Sequence, residues 1–209
     1  QIYVFRQPNT PWYIPGDINQ DGKIDENDLT SYMNYTGLRQ GDGDFAGYIS
    51  KGDLNNNGLI DAYDISAVAT ELEGGIWGEQ KGELKGSVTV EADKKQYAAG
   101  ETVTLTVKGK GLQNVNALSM CLPYDATEME YQGVEALAVK EMYNMTYDRL
   151  HTNGQKALYP TFVNLGMQNL IEGDVELMRI TFKARRSMKW SGQITDGMLV
   201  SRHNKALTF

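Results

Sequence analysis

The sequence predicts two domains of different class, a small all-α module over residues 15–73 and an all-β antiparallel sandwich over residues 86–209. Three observations predict it. A twelve-residue acidic pattern occurs twice near the start, its copies offset by 36 residues. Each copy is followed by apolar residues at helical spacing. From Gly86 onward the apolar residues fall at every second place, the period of half-buried strands.

The first copy runs Asp17-Ile-Asn-Gln-Asp-Gly-Lys-Ile-Asp-Glu-Asn-Asp28, and the second runs Asp53-Leu-Asn-Asn-Asn-Gly-Leu-Ile-Asp-Ala-Tyr-Asp64. Both place oxygen side chains at positions 1, 3, 5, 9 and 12, with glycine at position 6. That spacing suits a hard cation: calcium takes six to eight oxygens, and a loop of this length wraps one if it turns sharply at its middle. Gly22 and Gly58 supply the turn, because glycine alone enters such conformations without steric cost. The expected ligands of the first loop are Asp17, Asn19, Asp21, Asp25 and Asp28, with the carbonyl of Lys23. Those of the second are Asp53, Asn55, Asn57, Asp61 and Asp64, with the carbonyl of Leu59. A plain acidic surface loop accounts for one such stretch, but poorly for two with trailing helices. Two calcium ions are therefore expected. The first loop carries four aspartates to the second loop's three, so it is expected to bind more tightly.

After the first loop, Leu29, Tyr32 and Met33 share one helical face; after the second, Ile65, Val68, Ala69 and Leu72 do so. Ile14-Pro15-Gly16 precedes the first loop and argues against an entering helix. Ile24 and Ile60, both at the eighth place, are the expected apolar pair between the loops. Asp42 and Asp44 lack ligand spacing and read as solvated charges. The segment Gly16–Leu72 resembles a type I dockerin: duplicated loops, Asp at the twelfth place, a trailing helix and no entering one. The resemblance implies an EF-hand-like, calcium-dependent module that is gripped by a partner protein.

Net charge is −7, unevenly spread. Residues 15–73 carry twelve acids against three bases, while residues 74–209 carry fifteen against sixteen. The acidity is thus ligand chemistry, and no basic stripe recommends nucleic acid as a partner. Cys121 is the only cysteine, which excludes an internal disulfide and a thiolate cluster. No apolar run is long enough to span a membrane. Calcium loops fill reliably where calcium is abundant, so a secreted, cell-surface or periplasmic protein is expected. The chain, starting at Gln1, reads as a mature protein or a piece of a longer one. Residues 1–14, with Pro8, Pro11 and Trp12, read as an N-terminal arm or the end of a preceding domain. Gly74-Gly75 ends the second helix, and residues 74–85 form a linker.

In the second half, Val88 and Val90 mark one strand, and Val103, Leu105 and Val107 the next. Leu118, Met120, Leu122 and Tyr124, then Ile180 and Phe182, mark two more, while Ala136–Leu150 reads as a helical or irregular insertion. Asn116-Ala-Leu-Ser-Met-Cys-Leu-Pro-Tyr-Asp125, then Met129-Glu-Tyr-Gln-Gly-Val134, is similar to the cohesin pattern. Gly173–Ala184 resembles the later Ile-x-Phe strand of cohesins, and Asp196–Val200 a closing strand. The resemblance implies a jelly-roll-like sandwich that receives a dockerin. A carbohydrate-binding sandwich with a calcium-stabilised neck is the rival reading, for which Trp77 and Trp190 would stack on sugars.

No catalytic constellation is present. His151 and His203 lie in polar stretches and read as loop residues, with no nucleophile motif nearby. Glu128 and Glu130 share a strand face, which reads as a solvated one. The binding surfaces say more. The dockerin resemblance implies partner contacts at loop places ten and eleven, here Glu26-Asn27 and Ala62-Tyr63. The two pairs differ, so one docking orientation is expected, with Tyr63 as its aromatic anchor. On the strand of Leu118 and Met120, the residues Ala117, Ser119 and Cys121 point the other way. A small neutral strip with a thiol is easier to understand if something covers it, and the cohesin resemblance implies a dockerin. The sequence thus reads as a non-catalytic dockerin–cohesin pair, ancillary to a larger glycoside hydrolase or its scaffold in polysaccharide degradation. Docking within one chain and docking between chains both remain open.

Overall fold

The computed structural model describes residues 14–72, 74, 82–166 and 169–209. Most of the N-terminal arm, most of the linker, and Trp77 lie outside the described residues. Two helices form the first module. Helix α1 spans Glu26–Tyr35 and helix α2 spans Ala62–Leu72. Asp25 caps α1 by accepting from the Asn27 amide at 2.8 Å, and Asp28 reaches back to the Asp25 amide at 2.9 Å. This reciprocal box satisfies amides that a helix start leaves without partners. Leu29 and Tyr32 are buried on the inner face of α1; Ala62, Ile65, Val68 and Ala69 are buried on α2. Two short 3₁₀ turns, Gly43–Phe45 and Ile49–Gly52, lead into the second loop.

The second loop is held to the chain that follows α1. The Gly37 amide donates to the Ile60 carbonyl and the Ile60 amide to the Leu38 carbonyl, both at 2.9 Å. The backbone partner of Ile60 is therefore this segment. Ile24 packs at the edge of the same apolar cluster as Ile60. The Tyr32 hydroxyl, buried with its ring, donates to the Gly52 carbonyl at 2.9 Å and ties α1 to the mouth of the second loop.

The second module is a sandwich. In chain order its strands are β1 (Lys85–Ala92), β2 (Gln96–Tyr97), β3 (Thr102–Val115), β4 (Ala117–Tyr124), β5 (Met129–Ala136), β6 (Tyr143–Asn144) and β7 (Tyr147–Leu150). They continue as β8 (Lys156–Tyr159), β9 (Thr161–Val163), β10 (Ile171–Ala184), β11 (Met188–Lys189), β12 (Thr195–Val200) and β13 (Ala206–Thr208). One main sheet has the order β1-β3-β10-β5; the other runs β13-β12-β4-β8-β7, with β9 also on β4 and β6 on β9, and β2 pairs with β11 as a separate ribbon. All pairings between these strands are antiparallel. Between the sheets Val103, Leu105 and Val107 meet Leu118, Met120, Leu122, Ile180 and Phe182. Tyr124 and Tyr131 meet the Phe182 ring edge-on. The stretch Ala136–Leu150 is a correction to the sequence reading: after a turn it forms β6 and β7, both too short for a periodic signal.

Replacing Tyr32 by Phe keeps the packing but leaves the Gly52 carbonyl without this donor. The expected loss is about 1 kcal/mol of unfolding free energy, measured by denaturant titration.

Candidate functional site: twin acidic loops and the sheet face beneath them

The two loops fold alike. In each, the first aspartate accepts the amides of the fifth and sixth residues: Asp17 from Asp21 and Gly22 at 3.1 and 3.0 Å, Asp53 from Asn57 and Gly58 at 3.1 and 2.8 Å. The third residue, Asn19 or Asn55, accepts the same fifth amide. The fifth accepts the seventh, so Lys23 donates to Asp21 and Leu59 to Asn57. The twelfth closes the ring, Asp28 accepting from Asn19 and Asp25, Asp64 from Leu54 and Asp61. Gly22 and Gly58 stand at φ +87° and +82°, the left-handed region in which glycine is at ease.

Such loops concentrate acids where water is scarce. Asp17, Asp28, Asp53, Asp61 and Asp64 are buried, whereas Asn19 and Asp21 face solvent. Burial, with repulsion from Asp61, drives the Asp64 carboxyl well above its ordinary range. Burial likewise pushes Asp61 up to about 6 and raises Asp28. A dication among them would reverse those shifts by favouring the charged form. The donor chemistry therefore fits calcium. Among the described residues no three Asp, Glu, His or Cys side chains gather into a metal centre by themselves. An ion held here would draw also on the asparagine oxygens and the Lys23 and Leu59 carbonyls.

The second loop and its helix sit on the sandwich. Helix α2 lies across β4, β9 and β12. Ile60, Ala62, Ile65, Val68 and Ala69 join one apolar cluster with Ala117, Met145, Val163, Met198 and Val200. The Ala62 amide, in the first turn of α2, donates to Ser119 Oγ at 3.1 Å. Cys121 lies in a smaller buried cluster with Leu59, Ala157 and Tyr159. Strand β4 is thus covered on both sides, with Leu118, Met120 and Leu122 in the sandwich and Ala117, Ser119 and Cys121 under the helical module. Of the loop places ten and eleven, Ala62 is fully buried and Tyr63 half-buried, while Glu26 and Asn27 are exposed. Tyr63 packs, half-buried, against that same apolar cluster of Ala62 and Ala117.

Residues 88–206 match the model of the cohesin domain. The chain belongs to the cohesin family. Residues 15–73 match the model of the dockerin type I domain, so a dockerin precedes the cohesin. Both modules are non-catalytic; they interact with one another, and type I dockerins bind calcium. Among solved structures the chain is similar to a type II cohesin from the cellulosome of Acetivibrio cellulolyticus, at 12% identity over 58% of this chain and 87% of that one, TM-score 0.46. It is similar also to the cohesin module of a Clostridium perfringens family 33 glycoside hydrolase, at 11% identity over 60% and 90%, TM-score 0.48. A third is a non-cellulosomal cohesin of the archaeon Archaeoglobus fulgidus, at 14% identity over 57% and 82%, TM-score 0.45. No curated protein matches the chain.

The dockerin meets its cohesin at a second place, beyond the loops. Arg149 of β7 is buried; its Nε donates to the Thr36 carbonyl at 2.9 Å and its Nη2 to the Asn34 carbonyl at 2.7 Å. Helix α1 has no basic residue in its last turn, so the cohesin supplies the cation its C-terminus favours. Gly37, just past that end at φ +80°, lies against the Tyr159 ring, where an added Cβ would come within 2.3 Å of a ring atom. Asp42 Oδ2 meets His151 Nδ1 at 2.7 Å, and Asp42 Oδ1 accepts from the Thr152 amide at 3.0 Å. His151 Nε2 meets the Tyr159 hydroxyl at 2.7 Å, and that oxygen accepts from Arg39 Nη2 at 2.8 Å. Arg39 also pairs with Asp196 at 3.0 Å.

Two expectations are corrected here. Asp42 is no solvated charge: its carboxylate is enclosed between the modules and held by three partners. His151 is no loop residue but a buried crosspiece of the interface. Sequence reasoning missed both because the partners are 109 residues apart and no local spacing joins them. His203 lies in a turn. Glu128 and Glu130 are tied to Arg186 and Arg185, and Trp190 packs on the sandwich core.

Burial alone would raise the Asp42 carboxyl, but bonds from Thr152, His151 and Arg39 hold it below its ordinary value. A depressed acid contributes stability that is present above its unfolded pKa and lost as pH falls through its folded one. Docking is therefore expected to weaken below about pH 4, with a smaller acid dependence in Asp42→Asn, read by small-angle scattering against pH. Gly37→Ala forces a Cβ into the Tyr159 ring and is expected to cost about 1–3 kcal/mol by denaturant titration.

Proposed function

We propose that the chain is a calcium-dependent, non-catalytic assembly unit in which the dockerin is held by its own cohesin. The observation that carries this reading is the burial of Ala117, Ser119 and Cys121 beneath the second loop and α2 of the same chain. In this reading Ala62 and Tyr63 on the dockerin and Ala117, Ser119 and Cys121 on the cohesin are the partner-binding residues. Glu26 and Asn27 belong to the equivalent, solvent-facing surface of the first repeat.

Two calcium ions complete the unit. Asp17, Asn19, Asp21, Asp25 and Asp28 with the Lys23 carbonyl would hold one; Asp53, Asn55, Asn57, Asp61 and Asp64 with the Leu59 carbonyl would hold the other. Calcium neutralises the buried carboxylates, and so lends the folded dockerin stability in proportion to its binding. The residues do the rest. The closed second loop presents the first turn of α2, whose Ala62 amide needs a partner and finds Ser119. The first loop, with its extra aspartate, binds the tighter ion.

The setting we propose is a secreted, cell-surface or periplasmic protein of polysaccharide breakdown, with these modules ancillary to a glycoside hydrolase or scaffold. Domain limits of 15–73 and 86–209, joined by residues 74–85 and preceded by an arm over residues 1–14, suit such a unit. A linker this short keeps the two faces at high effective concentration, which favours docking within the chain.

Light scattering with small-angle scattering tests the reading. With calcium, a compact monomer is expected; with chelator, a monomer of larger radius of gyration. A calcium-dependent dimer or chain of copies would instead mean that docking runs between molecules.

A further inference from the structure

Helix α1 ends against the cohesin, and carbonyls at that end divide their partners between the two modules. The Tyr32 carbonyl accepts from the Thr36 amide and the Tyr35 carbonyl from the Leu38 amide, both at 3.0 Å. The Asn34 and Thr36 carbonyls take their donors from the other module, both from Arg149. A helix end leaves such groups without partners unless something reaches them. Here the dockerin's own backbone reaches two of them, and one cohesin side chain reaches the other two.

The charge of Arg149 has few other partners. The residue is buried, and among the described residues it forms no ion pair. The Tyr147 ring lies against the guanidinium, its centroid 4.2 Å from Cζ. A buried cation without a carboxylate is costly, so its charge has to be answered in another way. The negative end of α1 and the face of the Tyr147 ring answer it, with Asp42 and Asp44 acting from farther off. Neither helix of the dockerin has a basic residue in its last turn. Gly37 past α1 and Gly74 past α2 stand at φ +80° and +83°, so the two ends are of one kind. A lysine or arginine in that turn would answer the dipole within the dockerin and set a second cation against Arg149.

We propose that Arg149 makes this cohesin a socket for the end of a helix that carries no cation of its own. Selection follows from charge: the socket takes dockerins whose helix ends there without Lys or Arg in its last turn, and discriminates against those that have one. Because it grips backbone carbonyls, the other side chains of that turn matter little to it. The socket lies apart from the calcium loops and from the contact between Ala62 and Ser119. It rests on the reading that the dockerin docks within its own chain.

Cys121 makes docking readable, because it is buried beside Leu59 of the second loop and is the sole cysteine. Its rate of labelling by a thiol reagent is measured in the full chain with calcium. Arg149→Lys keeps the charge and loses the fork that spans two carbonyls, so labelling faster by about tenfold or more is expected. Asn34, exposed in the last turn of α1, carries the charge test. With Arg149 present, Asn34→Lys is expected to label about threefold faster than the neutral control Asn34→Gln. With Arg149→Gln the same comparison is expected to show no acceleration, because nothing at position 149 then repels the lysine. A packing role for Arg149 would not make one lysine act differently in the two backgrounds. Should Arg149→Gln lose the sandwich by circular dichroism, Arg149→Lys and Asn34→Lys on the native chain carry the test, and the native rate in either overturns the socket. The same acceleration by Asn34→Lys with and without Arg149 overturns it too. Equal labelling of the native chain with calcium and with chelator would mean instead that docking within the chain fails.

Discussion

The structure depends on strand β4 being covered twice. One side of it, Leu118, Met120 and Leu122, fills the sandwich; the other, Ala117, Ser119 and Cys121, is small and needs a lid. That lid is the start of α2, which follows directly on the loop that folds over its own carboxylates. Closure brings Asp53, Asp61 and Asp64 together out of water, an arrangement that repels itself unless a cation intervenes. Metal chemistry at one end of the chain and sheet packing at the other are thus one problem.

Small residues suit this arrangement. Ala117 beside Val163 and Val200 lets α2 approach closely, and Ala62 at its first turn brings a backbone amide, not a side chain, to Ser119. Larger polar groups are kept for the margin, where Arg149, His151 and Arg39 each meet a partner across the modules. A buried charge left without its acceptor is costly, so these contacts penalise misplacement more than they reward contact.

Much of this was legible in the sequence. The loops could be read because their chemistry is local: donor, turn and closing acid lie within twelve residues. Alternation exposed β3, β4 and β10, and the small outward strip on β4 indicated that a surface was waiting to be covered. The second contact between the modules could not be read. Asp42 resembles any loop acid until folding sets it against a histidine 109 residues away, and Gly37 resembles any glycine that ends a helix. Strands β6, β8, β9 and β11 are too short to show a period, and pairing alone defines them.

The most direct measurement is the reactivity of Cys121 towards a thiol reagent in the native chain, with calcium and then with chelator. The sulfur is buried beneath the second loop, and no other cysteine competes for the reagent. Calcium-built docking predicts slow labelling with calcium and labelling faster by an order of magnitude or more once the ion is withdrawn. Equal rates in the two conditions, with the sandwich folded in both, would contradict the account.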